Sequence, residues 1–279
     1  MQPLSPVIRR LYLLLFVSLF VAMLPLIILY ADGWRYKQGF GFVRTGGMYI
    51  GVPYPDADVY VNDAHIGRSG FLERSFYVGD LVPADYVIRV EREGYRPWKR
   101  VLIVDEQVVT DANALLLPIS IASVRLIAAT STDLYSSTST RTIPRDEFNS
   151  YNAAFALRPV ASSTLPIDES NGVGLFIQDG VLFARWIQES AFPPSQFCTE
   201  PSECAEAIIL ENNTTVSTAR FFRGGVVFTT TTGEVHFIEP DVRQTPIHML
   251  LFSAQNPDIR IIDDTLIVKS GASLYEIQL

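Results

Sequence analysis

Apolar positions first occur as one unbroken run and then, for the rest of the chain, in alternation with polar ones. The run, Leu11 to Tyr30 ("LYLLLFVSLFVAMLPLIILY"), carries no charge over the roughly 20 residues that a helix needs to cross a bilayer. Its Leu, Ile, Phe and Val residues sum to roughly -4 to -8 kcal/mol on an insertion scale, and Pro25 takes back only part of that. A cleaved signal peptide has an apolar core of about 7 to 15 residues and small residues at the cut. Here Leu29 stands two places before Ala31, so the run predicts an uncleaved signal anchor in contact with lipid. Basic residues lie on both sides, Arg9 and Arg10 before it and Arg35, Lys37 and Arg44 after it. Of the two orientations, the one expected leaves the short tail 1–10 in the cytoplasm and the bulk of the chain outside the cytoplasmic membrane, a single-pass arrangement. In the juxtamembrane segment 31–44, Trp34, Tyr36 and Phe40 suit headgroup level.

Beyond residue 44 the period becomes two. Val59 and Val61 alternate with Tyr60 and Asn62, and "NDAHIG" supplies a turn, which predicts a hairpin. Tyr86, Ile88 and Val90 share one face of a strand, Val101 to Val104 form another, and Leu115 to Leu117 close the unit at Pro118. Short strands at intervals of 8 to 12 residues predict a small antiparallel β-sandwich over 45–118. From 119 to 279 a Ser/Thr-rich tract, "ATSTDLYSSTSTRTIPRDEF", reads as a loop or irregular edge. A repeat follows it: "LFIQDGVLFARW", "RFFRGGVVFTTTTGEVHFI" and "RIIDDTLIVKSGASLYEI" share one grammar, with Phe183, Phe228 and Val268 at equivalent places. Repeats of this spacing match the four-stranded blades of a β-propeller, and consecutive hairpins of an ordinary sheet remain the alternative. The fold class expected is mainly β: an N-terminal transmembrane helix, a small sandwich, then propeller-like antiparallel repeats, with a closed or an incomplete set of blades both left open.

Composition narrows the chemistry. The 279 residues carry a formal net charge of -8 with no clustered Lys and Arg, which argues against nucleic acid as a partner. His65, His236 and His248 are the only histidines, and none has metal-ligand spacing to another His or a Cys. Asp56, Asp58, Asn62 and Asp63 lack the Gly and the bidentate Glu of a calcium loop and read as turn residues. No nucleophile elbow occurs, and "RTGGMYIG" lacks the Lys-Ser/Thr ending of a phosphate loop; its glycines admit the chain to the first strand. No catalytic, cofactor or metal residue is therefore assigned, and no enzyme is expected. Cys198 and Cys204 flank a short loop across which a disulfide is sterically allowed and worth about 2 kcal/mol; two unpaired thiols are the alternative.

One stretch supports a family resemblance. "VPYPDADVYVNDAHIG", "LVPADYVIRVEREGYRPWKRVLIV" and "NALLLP" together resemble the PEGA domain, a small extracytoplasmic β-sandwich module, over about residues 45–118. Gly94, Tyr95 and Trp98 with the preceding Tyr86, Ile88 and Val90 carry most of it. Pro55-Asp56-Ala57-Asp58 stands where the name motif would be, and Ala84-Asp85 replaces the Gly usual before Tyr86. The resemblance implies a bacterial envelope protein without an established catalytic role. In that setting Gly94 and Pro97 make a corner, and Tyr95 and Trp98 are expected to pack inward, where the pair contributes several kcal/mol; a sugar or peptide platform is the competing use. The function expected is a membrane-anchored envelope scaffold with a protein or glycan partner or self-association, the alternative being an extracytoplasmic ligand-sensing or carbohydrate-binding protein.

Overall fold

The computed structural model describes residues 6–129, 139–156, 165–188, 192–201, 203–243 and 246–279. The first five residues of the expected tail and the core of the Ser/Thr tract, 130–138, lie outside them. The chain is mainly β behind an N-terminal apolar helix, α1 (Pro6–Ala31), which is long and apolar enough to cross a membrane and has no buried residue.

A short antiparallel hairpin, β1 (Trp34–Lys37) and β2 (Gly41–Arg44), leads from the helix into seven strands in two layers. These are β3 (Gly46–Gly51), β4 (Asp58–Val61), β5 (Ala64–Arg68), β6 (Ser75–Leu81), β7 (Ala84–Glu91), β8 (Trp98–Val104) and β9 (Val109–Asn113). One layer has the order β6-β3-β9, with β3 and β9 parallel, and the other β5-β4-β7-β8. Alternation decides which side chains go between the layers. Ile88 and Val90 of β7 and Trp98, Leu102 and Val104 of β8 are buried with Met48 and Ile50 of β3. Asn62 and Asp63 both take positive φ, the requirement of the tight turn joining β4 to β5. At the end nearer α1, a Cβ on Gly46 would stand 2.0 Å from the Asp105 carbonyl oxygen, so the first strand can enter the sandwich only as glycine.

Among the described residues the remainder is three larger sheets and one two-stranded sheet, and no propeller is detected. The strands run β10 (Ala122–Ala128), β11 (Thr140–Ile143), β12 (Asp168–Ser170), β13 (Val173–Gln178), β14 (Val181–Trp186), the pair β15 (Cys198–Glu200) and β16 (Glu203–Cys204), β17 (Ala207–Glu211), β18 (Val216–Phe222), β19 (Gly225–Thr230), β20 (Glu234–Ile238), β21 (His248–Ser253), β22 (Asp258–Ile262), β23 (Thr265–Ser270) and β24 (Ser273–Gln278). They assemble as β12-β13-β14-β17, as β18-β19-β20-β21 and as β11-β10-β24-β23-β22. In the last sheet β10, from the start of the region, pairs with the C-terminal β24, and β11 joins β10 in parallel.

Two sequence expectations need correction. The tract ending "RTIPRDEF" is not all loop: Thr140–Ile143 is a strand, and Arg145–Ala154 is a helix, α2. Its Phe148 and Tyr151 pack on Leu126, Ile143, Ile267 and Leu274. A ten-residue helix with few apolar positions leaves too little periodicity to read. The repeat is also out of phase by one strand in its first copy. Phe228 and Val268 lie on the second strands of their sheets, but Phe183 lies on the third of its own; the counterpart is Phe176 on β13. Both turns of that sheet, Asn171-Gly172 and Asp179-Gly180, have the same pair of positive φ values, so the turn grammar alone does not separate the first hairpin from the second.

The middle sheet explains how these layers cohere. Phe222, Val227, Val235, Phe237 and Leu251 join the core that contains the sandwich interior, whereas Val216, Ala219, Val226 and Phe228 belong to a second core shared with β13, β14 and β17. Covered on both faces, β19 is buried from end to end, and its Val226, Val227 and Phe228 are apolar in succession instead of alternating.

Candidate functional site

The corner Gly94–Trp98 lies at the end of the sandwich away from α1, and it holds the chain that leaves for the later sheets. Gly94 has φ +79°, open to glycine without strain, and its carbonyl accepts from the Ile119 amide at 3.0 Å. The Arg96 amide donates to the Leu117 carbonyl at 2.7 Å, and Tyr95 bridges to Pro118. Pro97 is exposed at the corner, and the Tyr86 hydroxyl donates to the Val82 carbonyl at 2.9 Å. Tyr95 is half-buried, tilted against Tyr54 with ring centroids 5.9 Å apart and with the Arg92 guanidinium over its ring. Beneath these rings is a cavity of about 30 Å³, lined also by Leu115, Leu117 and Phe237, which has room for a water or two and not for a sugar.

Trp98 is 1% exposed, and its surroundings extend beyond the sandwich. Its indole N–H donates to Oε1 of Glu239, 3.0 Å away and 141 residues later, just after β20. The other carboxylate oxygen of Glu239 accepts from the Arg100 guanidinium, which is buried two residues along β8 from Trp98. Burial works against the charge on Arg100, and Asp241 nearby favours it. A guanidinium stays protonated at any working pH, so the pair is ionic and largely dry. Nη1 of Arg100 donates to the Lys99 carbonyl, and Nε has no partner among the described residues, which leaves Glu239 as the main compensation. Removing one partner of such a pair costs about 3–5 kcal/mol, because the other is left as an uncompensated buried charge.

A second contact supports the first along the edge strand β9. The Asp111 carbonyl accepts from the Arg243 guanidinium at 2.6 Å and from the Ser195 hydroxyl at 2.9 Å. Arg243 is itself held by both carboxylate oxygens of Asp241. Ser195 belongs to the turn before the disulfide Cys198–Cys204, which ties β15 to β16. Sequence reasoning found Trp98 and the two cysteines, and it missed Arg100, Glu239, Asp241 and Arg243. For Arg100 a signal existed, since it falls on the inward period of Trp98, Leu102 and Val104; for Glu239, a carboxylate beside Pro240 after an amphipathic strand, there was none.

The histidines divide. Exposed His65 pairs with Asp58 at 3.2 Å, and Asp63 reaches Arg89, so the carboxylates of that turn are spread among local partners. His236 and His248 meet across β20 and β21: Nδ1 of His236 lies 3.0 Å from Nε2 of His248, and Nε2 of His236 lies 3.2 Å from Oε2 of Glu234. With Glu234 accepting from His236, the neutral pair is satisfied when His248 donates to His236. The Phe228 ring stacks on His236, and burial together with the His236 neighbour holds the His248 pKa below the ordinary imidazole value. Among the described residues no three His, Cys, Asp or Glu side chains are grouped to hold a metal ion.

No protein-family model and no curated protein matches the chain. What the geometry offers is a joint: a buried aromatic and an ion pair that bind the sandwich to the sheets beyond it, with a polar brace along β9.

Proposed function

We propose that this protein is a non-catalytic, membrane-anchored scaffold of the cell envelope, in which the sandwich is a rigid spacer and the later sheets are the binding body. The observation that carries this reading is the joint of Trp98, Arg100 and Glu239, which makes one continuous core of spacer and body. The other end of the sandwich is also tied. The Gln107 side chain donates to the carbonyl and carboxylate of Asp32, and the Thr45 amide donates to the Gly33 carbonyl at 3.1 Å. Strands of six to eight residues at about 3.3 Å each put the body about 20 Å or more beyond the helix end.

Two finer readings of the fold fit this role. The pairing of β7 with β8 around the Gly94–Trp98 corner supports the PEGA-like character of the sandwich. Completion of the C-terminal sheet by β10 supports a propeller-like body, since it ties the start of the region to its end; the three larger sheets of the described residues fall short of the four blades of the smallest propellers. The outer edges β17 and β21, with Ile209 and Leu250 exposed, are the surfaces we assign to a protein partner or a second copy. The apolar helix and the disulfide suit the secretory pathway or membrane anchoring, and we place the body outside the cytoplasmic membrane.

Alkaline carbonate extraction of membranes, followed by protease treatment of intact cells, tests the anchor and its direction. The chain is expected to stay in the membrane at full length and to lose its body to external protease. Release by carbonate, or a body protected in intact cells and cut in inverted vesicles, contradicts the reading.

A further inference from the structure

Resting on the anchor reading above, we infer that the β1–β2 hairpin is a second membrane contact, an aromatic foot that lies in the headgroup and upper acyl layer and sets the angle at which the sandwich stands. The register pairs Tyr36 with Phe42 and Trp34 with Arg44, so those four side chains share one face of the hairpin. Arg35, Lys37 and Val43 are on the other. Arg35 turns toward the sandwich, where its Nε donates to Asp80 at 3.0 Å.

The aromatic face is turned the opposite way, and among the described residues its outer part, Tyr36 and Phe42, is left open. Tyr36 and Phe42 are each 70% exposed and touch chiefly one another, edge to face at 5.5 Å; Phe40 at the turn is 67% exposed. Around the turn, a Cβ on Gly39 or Gly41 would meet nothing within 4 Å. Three large exposed aromatics on a hairpin running from Trp34 to Arg44 make a poor water-facing surface, and a two-stranded hairpin of this size is marginal by itself.

The occupant follows from where the hairpin is fixed. Arg35 Nη1 donates to the Tyr30 carbonyl at 2.7 Å, and the guanidinium stacks 3.7 Å over the Tyr30 ring, on the last turn of the apolar helix. Arg44 binds Asp32 at 2.7 Å. Arg44 is on the aromatic face, as is Trp34, whose Nε1 also donates to Asp32 at 3.2 Å, so that face is fixed directly after the end of the apolar helix. Amphipathic aromatic rings with Arg and Lys beside them match the chemistry of a bilayer interface, apolar below and anionic or zwitterionic above. Since Arg35 also grips Asp80, and Gln107 grips Asp32, the foot and the sandwich turn together.

The test uses the full chain in phosphatidylcholine–phosphatidylglycerol nanodiscs, with a nitroxide at one position at a time and power-saturation EPR against oxygen and an aqueous nickel chelate. A label replacing Gln38, which leaves every aromatic in place, is expected to favour oxygen over nickel several-fold more than a label at Leu72, which is 92% exposed in the loop at the far end of the sandwich. In the Tyr36→Ser, Phe40→Ser, Phe42→Ser variant the Gln38 label is expected to fall to the Leu72 value. A label at Leu19, within the apolar helix, separates the two readings. Bilayer values at Leu19 with water-like values at Gln38 overturn the foot and leave the anchor standing. Water-like values at both positions overturn the anchor, and the foot with it.

Discussion

The two ends of the sandwich are fastened by different chemistry. At the helix end the ties are hydrogen bonds and ion pairs among exposed groups: Arg35 with Asp80, Arg44 with Asp32 and Gln107 with Asp32. At the far end they are an enclosed indole and a buried guanidinium sharing one carboxylate. Exposed pairs are screened by solvent and contribute little each, while a dry pair is costly to break. The far joint therefore unites the sandwich and the later sheets in one cooperative unit, and the near joint orients that unit relative to the helix. Asp32 shows how shallow the near joint is: its pKa is lowered chiefly by the hydrogen bond from Arg44, yet the carboxyl remains in solvent.

The sharpest way to break the contrast is Glu239→Ala. It leaves Arg100 buried and uncompensated, and an expected loss of about 3–5 kcal/mol should appear in urea unfolding of the full chain in detergent followed by far-UV circular dichroism. A loss within experimental error would make the two ends equivalent. Next comes Trp98→Phe, which retains most of the apolar contact and removes only the donor to Glu239 Oε1; about 1–3 kcal/mol is expected in the same assay. Asp80→Asn, at the near joint, should cost under about 1 kcal/mol and less again in high salt, because the pair it breaks is exposed.

The smallest effect belongs to the half-exposed histidine pair, away from both joints. Folding lowers the His248 pKa, so the native state binds fewer protons than the unfolded chain once pH falls into the ordinary imidazole range. Stability should decline as pH drops below about 6.5 and level off beneath the folded pKa. His248→Gln, which retains an N–H donor for His236, should reduce that decline in thermal melts at successive pH values, whereas an unchanged pH dependence would assign it to other groups.

Much of this architecture was legible from local chemistry. The apolar run of α1, the two-residue turns at Asn62-Asp63 and Asp263-Asp264, and the alternation of β7 and β8 all depend on neighbours in sequence. The burial of Trp98 follows from its large apolar area, but its partner does not, because nothing local marks Glu239 as the residue that will face it from 141 positions away. The phase of the repeat was lost for a related reason: β12 is only three residues long, and its Asn171-Gly172 turn resembles the next one. Helix α2 has a weak pattern of its own and is fixed by Phe148 and Tyr151 meeting a sheet that closes only when β10 reaches β24.

The central claim, that spacer and body move as one piece through the buried joint, is tested most directly by pulsed EPR distances in nanodiscs between nitroxides replacing Glu73 on the sandwich and Glu206 beside β17. A single narrow distance distribution is predicted for the native joint, broadening in the Glu239→Ala variant. A broad distribution with Trp98, Arg100 and Glu239 intact would contradict it.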